Sequence, residues 1–211
     1  MRKLVTVVTL VCAANAANAD EFRGVLGYSI GSTTFEDDVG DELSGDISQR
    51  VLSGTYYSNQ AGPFIGLRLG QAEVGDLEFN GIPLGVPDQK SDDVAFTLGY
   101  RGGSFGEPQL FASVTLGRTD YDDGDDENSS SFAVGVEKST QGGRYEVSAG
   151  YSSGDEIDSY SLAVAGIVYV SERVGFGAVA GYSLGDGTIL GVDVDVSGWS
   201  LGVGVEFRLL R

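Results

Sequence analysis

The residues of this chain that could carry chemistry are almost all carboxylates. Asp and Glu number 31 against 13 Lys and Arg, there is no histidine, and the formal net charge is −18. Without histidine, a Ser-His or Asp-His catalytic site is impossible. Paired carboxylates could still act as acid and base, but nearly all of them fall in predicted solvated loops. We therefore expect no catalytic residue, no cofactor and no enzymatic activity, and no binding of nucleic acid by so acidic a chain.

The densest acidic run offers a divalent-metal site as an alternative. Asp122, Asp123, Asp125, Asp126 and Glu127 supply oxygen ligands of the kind that Ca²⁺ prefers. The spacing departs from an EF-hand loop, because a glycine stands at a ligand position and Asp125 at the glycine position. We favour a solvated acidic loop and expect no metal site.

The sequence of residues 1–19 predicts a secretory signal peptide. A positive start is followed by a short apolar stretch and by a small-x-small cleavage site at Ala17-Asn18-Ala19. The apolar stretch is too short to cross a bilayer as a helix, and it contains Cys12, the one cysteine of the chain. Cleavage would leave residues 20–211 as a single domain without disulfides. It would also remove two basic residues, so that 11 against 31 acidic ones gives a charge of −20.

Hydrophobic alternation and turn signals predict ten β-strands in that domain. The predicted strands span 21–35, 48–58, 63–73, 92–102, 109–120, 129–139, 144–153, 158–170, 173–184 and 196–209. Short turns alternate with longer segments at 36–47, 74–91, 121–128, 154–157 and 185–195, four of which carry the acidic runs. The pattern predicts five hairpins with their charge collected at one rim.

The last strand shows which side of the sheet is apolar. From Trp199 to Phe207, large apolar residues alternate with Ser, Gly, Gly and Glu. Because a strand has a period of two, the bulky residues share one face. The opposite face is mostly glycine and serine, which suits a crowded or water-lined interior better than a solvent surface. Lipid outside and a crowded or wet interior explain this pattern. We predict an all-β fold, a closed antiparallel up-and-down transmembrane β-barrel of ten strands, with eight as the alternative.

Aromatic residues fall near both ends of the predicted strands, as expected for interfacial girdles. One end collects Phe22, Tyr57, Phe64, Tyr100, Tyr145 and Phe207. The other end collects Phe35, Tyr121, Phe132, Tyr151, Tyr160, Tyr182 and Trp199.

Over residues 20–211 the chain resembles the outer-membrane β-barrel proteins of Gram-negative bacteria. Ser200, Gly202, Val205 and Phe207 match the C-terminal assembly signal of that class, although four residues follow Phe207 where the class usually ends. The resemblance implies an outer-membrane location in the cell envelope and recognition by the barrel-assembly machinery. We expect a monomer in contact with membrane lipid and lipopolysaccharide, with divalent cations as one bridge between acidic loops and phosphates.

Six charged residues alternate with the outward-facing apolar residues of their predicted strands and therefore face the lumen. They are Arg23, Arg68, Arg101, Glu137, Glu146 and Glu206. A charge in a narrow lumen is costly unless it is paired or hydrated, so we expect a network that plugs the lumen, with charges that tune ion passage as the alternative. The expected function is a non-enzymatic, small porin-like or structural surface barrel. The alternative is a soluble periplasmic lipocalin-like barrel that binds an apolar ligand.

Overall fold

The architecture is taken from a computed structural model, which describes residues 21–58, 61–122, 124, 126–189 and 191–210. The predicted signal peptide at 1–19 lies outside the described residues. Nothing in the described part of the chain is a helix long and apolar enough to cross a membrane.

Strands make up nearly the whole described structure. They are β1 (Glu21–Asp37), β2 (Glu42–Tyr57), β3 (Gly62–Phe79), β4 (Ile82–Pro83), β5 (Gln89–Gly102), β6 (Pro108–Tyr121), β7 (Asp126–Ser139), β8 (Gly143–Ser153), β9 (Ile157–Tyr169), β10 (Val174–Ile189) and β11 (Val192–Leu210). The two-residue β4 lies in the connection between β3 and β5 and pairs only with β3. The other strands, ten within the described ranges, form the wall of the barrel.

The wall closes on itself through antiparallel neighbours. Each long strand pairs with the next along the chain, and β1 pairs with both β2 and β11, which leaves no free edge. A circuit of paired residues that starts at Glu21 returns to β1 at Thr33, twelve residues along, and this stagger corresponds to a strand tilt of roughly 40°. The prediction of a closed ten-stranded up-and-down barrel is confirmed, and eight strands is wrong.

Large apolar side chains cover the outside of the barrel. Leu26, Leu201 and Val203 are 56%, 52% and 64% exposed, whereas the buried hydrophobic residues of the described part are Phe64, Ala95 and Ile167. A soluble ligand-binding barrel requires the opposite arrangement, so the lipocalin-like alternative does not fit. The exterior is one that hydrocarbon covers, and the closed sheet satisfies the backbone hydrogen bonds there.

The strands continue through most of the segments predicted as long loops. The β1–β2 connection shrinks from the predicted 36–47 to 38–41, and the β10–β11 connection from 185–195 to 190–191. Strand β11 has 19 residues, whereas about 9–11 suffice to cross a bilayer. The acidic residues at this end, hereafter the loop end, therefore lie mainly on strand extensions beyond the apolar band. The opposite end, with both ends of the described chain, is called the turn end.

Candidate functional site

A network of buried and half-buried charged side chains crosses the lumen at the turn end. The group, hereafter the lumen cluster, contains Glu21, Arg23, Arg101, Glu137, Arg144, Glu146, Glu206 and Arg208, with Gln109, Ser139, Tyr57 and Tyr169 around them. Its four arginines and four glutamates, counted within the described ranges, balance in formal charge. The cluster brings together residues up to 187 positions apart, from Glu21 to Arg208, because β1 and β11 are neighbours.

Glu137 is the hub of one half of the lumen cluster. Its carboxylate lies 2.7 Å from Arg23, 3.1 Å from Arg101 and 3.2 Å from Arg144, and it accepts a hydrogen bond of 2.9 Å from the Ser139 hydroxyl. The Glu137 side chain is only 4% exposed. Several charge-assisted hydrogen bonds hold a buried carboxylate in one position. Removing any one of its partners would leave an uncompensated buried charge.

Glu21 completes the same half from the first strand. Its carboxylate is 2.8 Å from Arg23 Nε and 3.1 Å from Arg101, so both arginines bridge Glu21 and Glu137. Both guanidinium groups also lie over the Tyr57 ring, at 4.6 Å and 4.1 Å from its centroid. These cation–π contacts add to the ion pairs in a desolvated site.

Arg144 links this half to the opposite wall. Its guanidinium lies 2.8 Å from Glu146 and 2.7 Å from Glu206, in addition to its contact with Glu137. Glu206 is fully buried and also accepts a 2.6 Å hydrogen bond from the Tyr169 hydroxyl. The contacts run across the lumen from β7 and β8 to β9 and β11, so the side chains span the bore rather than line one wall.

Arg208 is the second residue that β11 contributes to the lumen cluster. It is buried, stacks 4.1 Å from the Tyr169 ring centroid, and lies opposite Arg23 in the β1–β11 register. Its Nε and Nη1 atoms have no hydrogen-bond acceptor among the described residues. Its charge offsets the excess of glutamate over the three other arginines.

The structure places the six predicted lumen charges at two levels. Arg23, Arg101, Glu137, Glu146 and Glu206 belong to the lumen cluster, as described above. Arg68 faces the same lumen further towards the loop end, where it pairs with Asp93 at 3.0 Å. The two groups are separate networks.

Sequence reasoning missed Glu21, Arg144 and Arg208. Each lies two residues from a charge that was selected, at Arg23, Glu146 and Glu206 respectively. Parity within the strand was a sufficient signal, because residues two apart on a strand share a face. These three positions lie within three residues of the ends of their strands, where sequence patterns define strand boundaries least well.

Several predicted girdle residues belong to the interior. Phe64 is buried against Gly99, and the Tyr57 ring lies beneath the guanidinium groups of Arg23 and Arg101. Both aromatic side chains therefore face the lumen at the turn end. Phe35 shares the inward register of Arg23, and Tyr121 donates a 3.0 Å hydrogen bond to inward-facing Glu127 at the loop end. The exposed girdle residues at the turn end are Tyr100, Tyr145 and Phe207, and those at the loop end are Phe132, Tyr151, Tyr160, Tyr182 and Trp199.

The acidic run at the β6–β7 connection is only partly described. Asp123 and Asp125 lie outside the described residues, and Asp122 is exposed. Asp126 pairs with Arg118, and Glu127 accepts the Tyr121 hydrogen bond. Among the described residues, no group of three or more potential ligands could hold a metal ion.

The predicted assembly-signal residues form part of β11. Val205 and Phe207 point outward on this strand, whereas Gly202 is buried and faces the lumen with Ser200. Their pairing partners in β1 are Gly31 for Ser200, Ser29 for Gly202, Leu26 for Val205 and Gly24 for Phe207. The segment therefore forms the seam that closes the barrel.

Comparison with solved structures gives the same architecture. The outer membrane protease OmpT from Escherichia coli is similar with a TM-score of 0.55 and 10% identity, over 90% of this chain and 97% of that one. The fold is that of the outer-membrane β-barrels. At this identity the likeness concerns the fold alone, and it does not extend the protease activity to this barrel.

Two further structures are similar over most of the barrel. The translocator domain of the autotransporter NalP from Neisseria meningitidis gives a TM-score of 0.49 and 14% identity, over 97% of this chain and 96% of that one. The outer membrane protein OprG from Pseudomonas aeruginosa gives 0.43 and 15%, over 92% and 98%. No protein-family model matches the sequence, and no curated protein is significantly similar to it.

Proposed function

We propose that this protein is a non-enzymatic outer-membrane barrel that is closed to ions at its turn end, with this end facing the periplasm. In this role it is a structural surface barrel that holds an acidic rim at the cell surface. The observation that supports the proposal is the lumen cluster, whose central residues Arg23, Arg101 and Glu137 are at most 4% exposed. Ion passage would require their paired charges to separate in a desolvated site.

The absence of catalysis is part of the same proposal. The chain contains no histidine, and the buried carboxylates of the lumen cluster are already paired with arginines. The remaining carboxylates lie mostly at the exposed loop end, where water stabilises the ionised form. An assay for hydrolysis of peptide, phospholipid and acyl-ester substrates should give no activity above that of a boiled sample.

A porin-like role is the second candidate, and a cavity of about 310 Å³ next to Arg144 and Glu206 favours it. In that role the cluster would act as a gate. Arg144 would hold this gate closed, because its guanidinium contacts three carboxylates. The two roles differ in the conductance of the unmodified barrel.

Planar-bilayer recording tests the proposal. A structural barrel should show no steady conductance, and Arg144→Ala should introduce one by removing the guanidinium that bridges Glu137 and Glu206. Arg118→Ala is the matched control, because Arg118 is exposed and pairs with Asp120 outside the lumen. A stable conductance of the unmodified protein would refute the closed barrel in favour of the porin-like role.

We propose that the acidic rim also contacts lipopolysaccharide through divalent cations. The support is the excess of carboxylates on the strand extensions, such as Asp186, which lies opposite Asp158 on β9 and Asp195 on β11. Like charges so placed repel each other unless a cation screens them. Chelation with EDTA should lower the amount of lipopolysaccharide that purifies with the barrel, and an unchanged amount would contradict this bridging.

A further inference from the structure

Between the lumen cluster and the loop end, the lumen contains a chamber on one side. Two cavities of about 310 Å³ and 280 Å³ adjoin at Ser29, Gln49 and Ser200, which line both. The first reaches the cluster at Arg144 and Glu206, and the second extends to Thr33 and Gly198 near the loop end. We refer to this pair of cavities as the lumenal chamber.

The chamber exists because inward positions on neighbouring strands are small. Gly177, Gly202 and Gly204 occupy adjacent inward positions on β10 and β11. A side chain at Gly202 would lie 2.9 Å from Val179 Cγ1 and 3.1 Å from Ser29 Cβ, so any larger residue there would intrude on the lining. The opposite wall is filled instead by Phe64 and by the Arg68–Asp93 pair.

The chamber has an apolar lower part and a polar upper part. Val25, Val51, Ile167 and Val179 line the cavity next to the cluster. Above them the lining changes to the hydroxyls of Ser29 and Ser200, neither of which has a hydrogen-bond partner among the described residues. A volume near 300 Å³ with mainly apolar walls and a few polar groups is at the lower end of the range for small-molecule sites.

The charges that touch the chamber are already neutralised. Arg144 and Glu206 form its floor, and they bind each other at 2.7 Å. An ion in the lower part would lose its hydration without gaining a counter-charge, which is strongly unfavourable. An uncharged molecule meets no such cost.

We propose that the lumenal chamber binds a small uncharged amphipathic molecule that enters from the loop end. Its apolar body packs against the valines and Ile167, and its hydrogen-bonding group meets Ser29, Ser200 and Gln49. This inference does not depend on whether the lumen cluster conducts ions, because the chamber lies wholly on the loop-end side of the cluster.

Thiol accessibility tests the chamber directly, because residues 20–211 contain no cysteine. Ala165→Cys places one thiol in the lower part of the chamber. Val39→Cys places one on the exposed β1–β2 connection as the reference. Each variant, folded in detergent, is treated with neutral, anionic and cationic methanethiosulfonate reagents. For each reagent, the rate of reaction at Ala165→Cys is divided by the rate at Val39→Cys, which removes the influence of the acidic rim.

The neutral reagent should react at Ala165→Cys at least tenfold faster, after this normalisation, than either charged reagent. Benzyl alcohol at millimolar concentration should slow that reaction and leave the reaction at Val39→Cys unchanged. Equal normalised rates for all three reagents would show a water-filled lumen without selectivity, and no reaction with any reagent would show that molecules do not enter. Either result overturns the proposal.

A filling variant separates binding in the chamber from binding to detergent. Val179→Trp occupies the chamber, whereas Ala178→Trp places the same ring on the outer face of the same strand. In the Ala165→Cys background, Val179→Trp should lower the neutral-reagent rate at least tenfold, and Ala178→Trp should change it less than twofold. Gel mobility before and after boiling confirms that each variant is folded, and equal effects of the two tryptophans would refute a site inside the barrel.

Discussion

Replacing Glu137 with glutamine tests whether the lumen cluster holds the barrel together. The Glu137 carboxylate lies within 3.2 Å of three arginines and accepts a hydrogen bond from Ser139. Glutamine has nearly the same size and keeps one carbonyl acceptor, so the change removes charge rather than volume. It leaves four cluster arginines facing three glutamates in the described structure, with Arg23 and Arg101 both dependent on Glu21.

The expected loss follows from the cost of an unpaired buried charge. Removing one partner of a buried ion pair costs about 3–5 kcal/mol, and because Arg144 keeps Glu146 and Glu206, we expect the lower end of that range. Glu172→Gln is the control, since Glu172 is exposed in the β9–β10 turn. Its free energy of unfolding should change by no more than about 0.5 kcal/mol.

Denaturant unfolding of the barrel in lipid vesicles supplies the measurement. The chain contains a single tryptophan, Trp199, which lies on the outer face at the loop-end girdle and reports transfer from lipid to water. The midpoint should fall while the dependence on denaturant stays the same, because the exposed surface of the unfolded chain is unchanged. A loss below about 1 kcal/mol would show that water already screens these charges, and the reasoning about a dry plug would be wrong.

Three further outcomes follow from the same structure. Val203→Lys should destabilise the barrel by about 2–4 kcal/mol because it places a cation on the lipid face, whereas Ser113→Lys, on the lumenal face, should cost much less in the same unfolding assay. Tyr169→Phe should cost about 1.5–3 kcal/mol through loss of the hydrogen bond to Glu206, and a change as small as that of outward-facing Tyr145→Phe would contradict that bond. The folded protein should require detergent for extraction and migrate differently on a denaturing gel before and after boiling; recovery in the soluble periplasmic fraction would refute the membrane barrel.

The faces of the strands could be predicted from sequence because side-chain direction is a local property. Trp199, Leu201 and Val203 alternate with small residues, and a period of two places them on one side whatever the rest of the chain does. The same rule would have added Glu21, Arg144 and Arg208 to the inward charges. Tyr57 and Phe64 were assigned to the wrong side because their distance from the strand end, rather than their parity, was used.

The length of each strand was decided by pairing with the adjacent strands of the barrel and could not be predicted from local sequence. The segments 36–47 and 185–195 are rich in acidic, serine and glycine residues and were predicted as loops, yet β1, β2, β10 and β11 continue through most of them. Pairing with an adjacent strand satisfies the backbone hydrogen bonds there, and the side chains remain in water on both sides. Local composition therefore indicated exposure correctly but not backbone conformation.

By itself the sequence determined that this chain forms a closed antiparallel barrel with an apolar exterior and charges inside, and it favoured ten strands over eight. Only the tertiary structure decided which charges meet. The twelve-residue stagger fixes the level at which each strand places its inward residues. Arg23 thereby reaches Glu137 across 114 residues of sequence, while Arg68 pairs with Asp93 at another level. Stagger is a property of the closed sheet as a whole, so no single strand carries the information that separates the plug from the chamber.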